Sequence, residues 1–322
     1  MKIIDLHCDT LVRCFLQGEH LSQNSGHIDL EKLKKGKALA QVFALFLPTE
    51  GTDVGKKRLG PYEMFKKIYP WYQEELRIND TVISEARSVE EILQNSENGK
   101  ISSVLAVEDG ALLENKLSRL DELYQKGVRL LTLLWNQENC IGYPNSDNEK
   151  EHQKGLKEFG LEVVDRMNQL GMLIDVSHLS EGGFWDVAAH SRQPFVASHS
   201  CVSRLCGHSR NLNDEQLKGI AECGGIVGVN FNSFFLMENS SMSTIQRILE
   251  HIDYVLQKAG EESVALGSDF DGIFCELEMK DYGEYGKLTN ALLKKYSTTV
   301  VEKICFRNAL RVMKDVENTA QK

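Results

Sequence analysis

The segment MKIIDLHCDT (Met1–Thr10) contains a short apolar run that is followed by a histidine and an aspartate two residues apart. Residues i and i+2 of an extended strand point to the same side, so His7 and Asp9 can bind one ion together. Cys8 lies between them and would point the opposite way, which predicts that it packs internally rather than acting as a ligand. The segment therefore predicts a buried strand with polar ligands at its carboxyl end.

The same pattern recurs along the chain, because short apolar runs rich in β-branched residues alternate with segments of helical periodicity. Most of these runs are continuously apolar, which is typical of parallel strands covered on both faces. Eight strand and helix repeats predict a closed α/β structure, a (β/α)8 TIM barrel, rather than an open sheet. The predicted strands are Lys2–Leu6, Gln41–Leu47, Ser103–Val107, Val128–Leu134, Met172–Val176, Pro194–Ser198, Gly225–Val229 and Val264–Gly267.

The segments between the strands predict helices and one barrel domain over residues 1–322. Three of them have the residue pattern of a helix and are each followed directly by a glycine, namely Gly155–Leu170, Asp214–Cys223 and Ser243–Ala259. A segment at about 48–79 is longer than an ordinary connection and contains three prolines, so we expect an insertion with its own helix. A helical C-terminal extension includes Thr298–Lys314.

Composition excludes several classes of function. The net charge is -10 and the chain has no long run of Lys or Arg, which argues against nucleic-acid binding. No stretch approaches the roughly 20 apolar residues of a membrane helix, and the N-terminus lacks the features of a signal peptide. The eight cysteines form no CxxC pair, so we expect free thiols in a reducing compartment. These features predict a soluble, cytoplasmic protein.

Histidine or carboxylate residues follow five of the eight predicted strands. Taken singly, each has an ordinary interpretation as a turn, a helix cap or a hydrogen-bonded loop residue. Because the active site of a (β/α)8 barrel lies at the carboxyl ends of its strands, these side chains are expected at one rim. Converging imidazoles and carboxylates are what a metal site requires. The candidates are His7, Asp9, Glu108, His178, His199 and Asp269.

The ligand set predicts two ions rather than one. His7 and Asp9 can hold one ion, and two further histidines, His178 and His199, cannot easily share it and leave an open position. A second ion with Glu108 as the bridge solves this, and ions about 3.5–4 Å apart would hold a hydroxide as nucleophile. Asp269 would then be free to carry protons. The ligand types alone do not fix the metal, because zinc, manganese and iron would all accept them.

Six motifs in this order, HCDT, AVEDG, DVSH, SHS, HSRN and GSDFDG, span nearly the whole chain and resemble the renal or membrane dipeptidase family of zinc peptidases. The resemblance implies an amidohydrolase-type barrel with two zinc ions, assembled as a homodimer. It implies the same metal ligands, with Asp269 as general acid and base. It also implies that Arg210, in HSRN, binds the terminal carboxylate of the substrate, and that D-residues are accepted at the C-terminal position.

Two departures from the family pattern bear on substrate preference. Many relatives have TLTHN where this chain has TLLWN, which places Trp135 at the position of a histidine that helps to stabilise the intermediate. Tryptophan donates one hydrogen bond but cannot become cationic, so Trp135 either lines the substrate pocket or packs as an ordinary core residue. We predict that Trp135 and Asn136 contact the substrate. Asn232 replaces a tyrosine found in some relatives.

The predicted function is metal-dependent hydrolysis of the amide bond of a dipeptide. The first alternative is another amidohydrolase-type reaction on a small amide, ester or cyclic imide. The second alternative is a metal-binding protein without catalytic activity, although such a protein would not need the proton carrier Asp269. The expected partner is a small dipeptide, with neither nucleic acid nor a membrane.

Overall fold

The computed structural model describes residues 1–320 and contains eight parallel strands that close into a barrel. Each strand pairs with its neighbours in sequence, and the last pairs with the first through Leu266 and Asp5. The predicted (β/α)8 fold is confirmed, and each predicted strand overlaps an observed one. The barrel strands are β1 (Ile3–Asp5), β2 (Ala38–Phe46), β3 (Ile101–Glu108), β4 (Val128–Thr132), β5 (Leu173–Asp175), β6 (Val196–Ser200), β7 (Ile226–Val229) and β8 (Val264–Leu266).

Helices connect the strands and continue beyond β8. The predicted C-terminal helix is interrupted at Lys303–Arg307, where the backbone forms a wider π-helical turn. Short 3-10 turns lie at Gly110–Leu113 and Tyr282–Glu284. The α-helices span Thr10–Gln17, Leu30–Lys35, Pro61–Ile78, Val89–Glu97, Leu117–Gln125, Glu149–His152, Glu158–Leu170, Glu181–His190, Asp214–Glu222, Ser233–Leu236, Ile245–Ala259, Tyr285–Leu293, Thr298–Glu302 and Asn308–Ala320.

The long connection between β2 and β3 contains several small elements of its own. An antiparallel hairpin pairs Thr52–Val54 with Lys57–Leu59, and the helix Pro61–Ile78 follows it. That helix buries one apolar face, which includes Phe65 and Tyr72. A further strand, Ile83–Glu85, then pairs in parallel with the first residues of β3.

The two ends of the barrel differ in the side chains that line them and in what covers them. Small and branched residues near the amino-terminal ends of the strands pack against Val312 and Val316 of the C-terminal helix. This helix therefore covers the end of the barrel that lies opposite Glu108 and His199. The other end is lined by polar side chains and is open to a cavity.

The cysteines and the helices of the described residues bear on the class of protein. The eight cysteines, all within this part of the chain, form no disulfide, as their spacing predicts. Nowhere in residues 1–320 does a helix combine the length and the apolar character that crossing a bilayer demands.

Candidate metal centre

The carboxyl ends of the strands bring the predicted site residues to one rim. Glu108 is the last residue of β3, His199 lies in β6, and His178 follows β5. His178 and Asp269 have φ angles of 70° and 62°, in the left-handed region that residues other than glycine seldom adopt. Such backbone conformations cost of the order of 1–3 kcal/mol each and persist where the surrounding structure enforces them. Tight turns thus direct these side chains to the mouth of the barrel.

Glu108 lies at the centre of the group and is buried. Its Oε2 atom is 3.5 Å from His7 Nε2. Its Oε1 atom is 3.1 Å from His178 Nε2 and 3.6 Å from His199 Nε2. The two oxygens of one carboxylate therefore face two different sets of imidazoles, which is the arrangement of a bridging ligand.

The first set consists of His7 and two aspartates. The Nε2 atom of His7 lies 3.6 Å from Asp9 Oδ2 and 4.0 Å from Asp269 Oδ1. Asp269 accepts a hydrogen bond of 2.9 Å from the amide nitrogen of Asn230, which fixes its second oxygen. Donor atoms of His7, Asp9 and Asp269 lie close enough together to share one ion.

The second set consists of His178 and His199. His178 Nδ1 lies 2.9 Å from the side-chain oxygen of Asn136, which can only accept a hydrogen bond. His199 Nδ1 lies 2.8 Å from the hydroxyl of Ser198. His178 Nδ1 is therefore a donor. The hydroxyl of Ser198 donates its one proton to Asp175 Oδ2 at 2.6 Å, so His199 Nδ1 is a donor as well, and each Nε2 presents a lone pair. These two Nε2 atoms face each other at 3.0 Å.

These residues fit a pair of divalent cations. Both ring nitrogens of buried His7 and the Oδ1 atom of Asp9 have no hydrogen-bond partner among residues 1–320. Buried polar atoms are rarely left in that state, since each costs about 1–3 kcal/mol. The two facing lone pairs of His178 and His199 repel each other unless a cation lies between them. Imidazoles with carboxylates are ligands that zinc accepts.

The charges at the site follow from burial and close carboxylates. Burial raises the pKa of Glu108 to about 7 and that of Asp269 to about 6, although His7 opposes both shifts. Burial alone lowers the pKa of His7, but Glu108 and Asp9 raise it well above its ordinary value. Burial holds the pKa values of His178 and His199 well below the usual range, so both are neutral. Neutral imidazole is the form that binds metal ions.

A cavity of about 700 Å³ opens over these residues. This volume is typical of a site for a small molecule. Asp9, Glu108, His178 and Asp269 contribute to its floor, and the half-buried ring of Trp135 forms part of its wall. Trp135 packs edge to face against Phe46, with the ring centres 4.8 Å apart. Asn136 and Asn232 also line the cavity.

Arg210 lies next to the site but is buried. Its two terminal nitrogens donate hydrogen bonds to Ser200 Oγ at 3.2 Å and to the carbonyl oxygen of His199 at 3.0 Å. Its Nε has no hydrogen-bond partner within the described part of the chain. Burial lowers the pKa of Arg210, although the charges of Asp269 and Glu108 oppose this. Arg210 does not belong to the cavity lining that residues 1–320 form.

Several polar residues that support this site were not among the residues predicted from the sequence. Asn230 follows β7 directly, so the strand-end rule that selected the other residues could have found it. Asp175 and Ser198 lie within β5 and β6 and hydrogen-bond to each other at 2.6 Å. Both residues belong to the motifs DVSH and SHS, but their contact depends on how the two strands pair, which the sequence does not show.

The chain is similar to several known proteins over most of its length. An uncharacterized protein of Klebsiella pneumoniae is 37% identical over 239 residues, covering 71% of this chain and 87% of that protein. An uncharacterized dipeptidase of Schizosaccharomyces pombe is 30% identical, covering 99% of this chain and 81% of that protein.

Solved structures of metallopeptidases share the fold. A dipeptidase of peptidase family M19 is 27% identical with a TM-score of 0.88, covering 98% of both chains. A metallopeptidase of Rhodobacter sphaeroides, liganded with a phosphinate mimic of L-Ala-D-Ala, is 25% identical with a TM-score of 0.87, covering 98% of this chain and 99% of that chain. The family model described as membrane dipeptidase (peptidase family M19) matches residues 1–322. The chain therefore belongs to the membrane dipeptidase family of metal-dependent peptidases, peptidase family M19.

Proposed function

We propose that this protein hydrolyses the single amide bond of dipeptides with the help of two zinc ions. His7 and Asp9 would hold one ion, His178 and His199 the other, and Glu108 would contact both. The observation that carries the proposal is the position of Glu108, whose two oxygens lie within 3.6 Å of separate imidazole sets.

Two zinc ions, when bound, supply an activated water at neutral pH and a Lewis acid for the scissile carbonyl. The protein supplies the side chain that would carry the proton from the attacking water to the leaving amine. Asp269 lines the cavity, and Asn230 holds its Oδ2 atom, which leaves the other oxygen directed toward His7. Asp269 would take the proton of the attacking water and pass it to the leaving amine.

The proposed substrate contacts are made by Arg210, buried beside the site, and by residues that line the cavity. We place the terminal carboxylate of the dipeptide near Arg210, because a guanidinium suits carboxylate binding and its Nε has no hydrogen-bond partner in residues 1–320. Trp135 and Asn136, which both line the cavity, would contact a side chain of the substrate. The mimic of L-Ala-D-Ala bound by the Rhodobacter sphaeroides relative supports acceptance of a D-residue at the C-terminal position.

A second candidate is hydrolysis of a small neutral amide or cyclic imide. The observation that favours it is the burial of Arg210, whose terminal nitrogens are already engaged by Ser200 and His199. The variant Arg210→Ala separates the two candidates. It should raise KM sharply for dipeptides if Arg210 binds the carboxylate, and barely change KM for a C-terminally amidated dipeptide.

The function is tested with a panel of L,L and L,D dipeptides, assayed on a sample whose metal content is measured in parallel. We expect hydrolysis that a chelator abolishes and that zinc restores. The variant Glu108→Gln should lose two-metal binding together with activity. Hydrolysis that survives complete removal of metal, or a metal-loaded protein that cleaves no dipeptide, would contradict the proposal.

A homodimer in the cytoplasm stays a prediction from the family resemblance and the composition. Light scattering on the purified full chain measures the assembly directly. We expect about twice the chain mass of 36.4 kDa. A mass of one chain across a range of concentrations would contradict the dimer.

A further inference from the structure

A buried hydrogen-bond network joins the two histidine-bearing strands beneath the site. Asp175, the last residue of β5, is fully buried. Its Oδ1 accepts hydrogen bonds from the backbone nitrogens of Ser177 at 3.0 Å and Ser198 at 2.8 Å. Its Oδ2 accepts from the hydroxyls of Ser198 and Thr132, both at 2.6 Å. One carboxylate thus ties together β4, β5 and β6.

The network is linked to His199 through the hydroxyl group of Ser198, which has a single proton. A serine hydroxyl has one proton to donate, and Ser198 donates it to Asp175. Toward His199 the hydroxyl can therefore act only as an acceptor, so the ring proton of His199 must lie on Nδ1. The Nε2 atom of His199 then carries a lone pair, and it is this atom that faces Glu108 and His178.

We propose that Asp175 is a positioning residue that acts through Ser198 to hold His199 in the tautomer and orientation needed to bind a cation. The inference rests on the two-cation site of the proposed function and assigns a role that the metal ligands alone do not explain. Residues that hydrogen-bond to metal-binding histidines typically change metal affinity by about 10- to 100-fold when they are removed.

The substitution Asp175→Asn gives a specific expectation. The amide oxygen would keep the two backbone donors, so the amide nitrogen would replace Oδ2 beside the two hydroxyls. Because this nitrogen only donates, Ser198 would become its acceptor and turn its own proton toward His199 Nδ1. The ring of His199 would then carry its proton on Nε2, where it blocks coordination.

A second variant and a matched control separate this effect from a general loss of stability. Ser198→Ala leaves Asp175 with three of its four donors but removes the acceptor of His199 Nδ1. The control is Asp109→Asn, because Asp109 is also a buried carboxylate at the rim with four donors. Those donors come from Thr49, Ala111 and Asn139, and none is a histidine.

The experiment is a competition titration of the metal-free full chain with zinc and a chromophoric chelator. We expect two cations in the wild type and in Asp109→Asn. In Asp175→Asn and Ser198→Ala we expect one of the two to bind about 10- to 100-fold more weakly. Equal affinities in all four proteins, or an equal loss in Asp109→Asn, would overturn the inference. Zinc binding absent from the wild type would instead overturn the proposed function.

A second readout does not depend on bound metal. Nitrogen NMR of the metal-free chain with labelled histidines reports which ring nitrogen carries the proton. We expect an Nδ1 proton on His199 in the wild type and in Asp109→Asn, and an Nε2 proton in Asp175→Asn. An Nε2 proton in the wild type would overturn the inference even if two cations bind. If Asp175→Asn fails to fold, a mixture of both tautomers in Ser198→Ala supports the inference and a wild-type spectrum overturns it.

Discussion

The close approach of β6 to the end of β8 gives a quantitative test of how packing positions the site. Gly267 follows β8, and a Cβ added to it would lie 1.8 Å from the carbonyl oxygen of Ser198 and 3.2 Å from His199 Cα. Real Cβ atoms do not approach other atoms to within 3.0 Å. In Gly267→Ala the two strand ends must therefore separate by at least about 1.2 Å. This displaces either His199 or the turn that carries Asp269.

The expected cost has two parts. Overpacking a close-packed interior destabilises a protein by about 1–3 kcal/mol. A displacement of about 1 Å in a catalytic group can lower the rate by about 100-fold. We expect both effects in Gly267→Ala, measured as the free energy of unfolding in urea and as kcat for a dipeptide.

The control for this variant is Gly286→Ala. A Cβ at Gly286, near the start of the helix Tyr285–Leu293, would have no neighbour within 4 Å. We expect wild-type kcat and an unchanged or slightly higher free energy of unfolding, because alanine favours helix more than glycine does. If Gly267→Ala behaves like this control, the packing at β6 and β8 does not position the site and the reasoning fails.

Three further predictions concern the wall, the proton carrier and the scaffold. Trp135→Ala should raise KM for dipeptides with large apolar side chains more than for glycine-containing ones, and equal changes across the panel would show that Trp135 does not contact the side chain. Asn230→Ala should lower kcat by about 10- to 100-fold with little change in KM, since a hydrogen bond to charged Asp269 is worth about 1.5–3 kcal/mol; an unaltered kcat would refute this. Ser88→Ala removes the side-chain cap that accepts from Glu91 N and should cost about 1 kcal/mol of unfolding free energy at unchanged kcat; a stability equal to wild type would contradict it.

The sequence predicted the barrel well because its strands are buried on both faces. In β3 all eight residues are buried, and the four residues Val104–Val107 form an apolar run that ends at Glu108. The same rule selected the proposed metal ligands, since a polar residue directly after such a run lies at the rim. The prediction of one continuous helix after residue 298 was less accurate. The spacing of its apolar residues does not indicate the π-helical turn at Lys303–Arg307.

The supporting hydrogen bonds could not be predicted in this way. Asp175 meets β6 because the strand register places it opposite Val196, and register is a property of two strands rather than of one. The burial of Arg210 likewise depends on how the loop after β6 folds back on His199. Sequence patterns indicate which residues reach the rim, whereas the contacts that orient them come from packing between distant segments.

The measurement that tests the central claim most directly is anomalous diffraction at the zinc edge from crystals of the full chain grown with zinc. The central claim is that Glu108 joins two cation sites. We expect two anomalous peaks, one between Glu108 Oε2 and the His7 side and one between Glu108 Oε1 and the pair His178 and His199. A single peak, or peaks away from Glu108, would contradict the account.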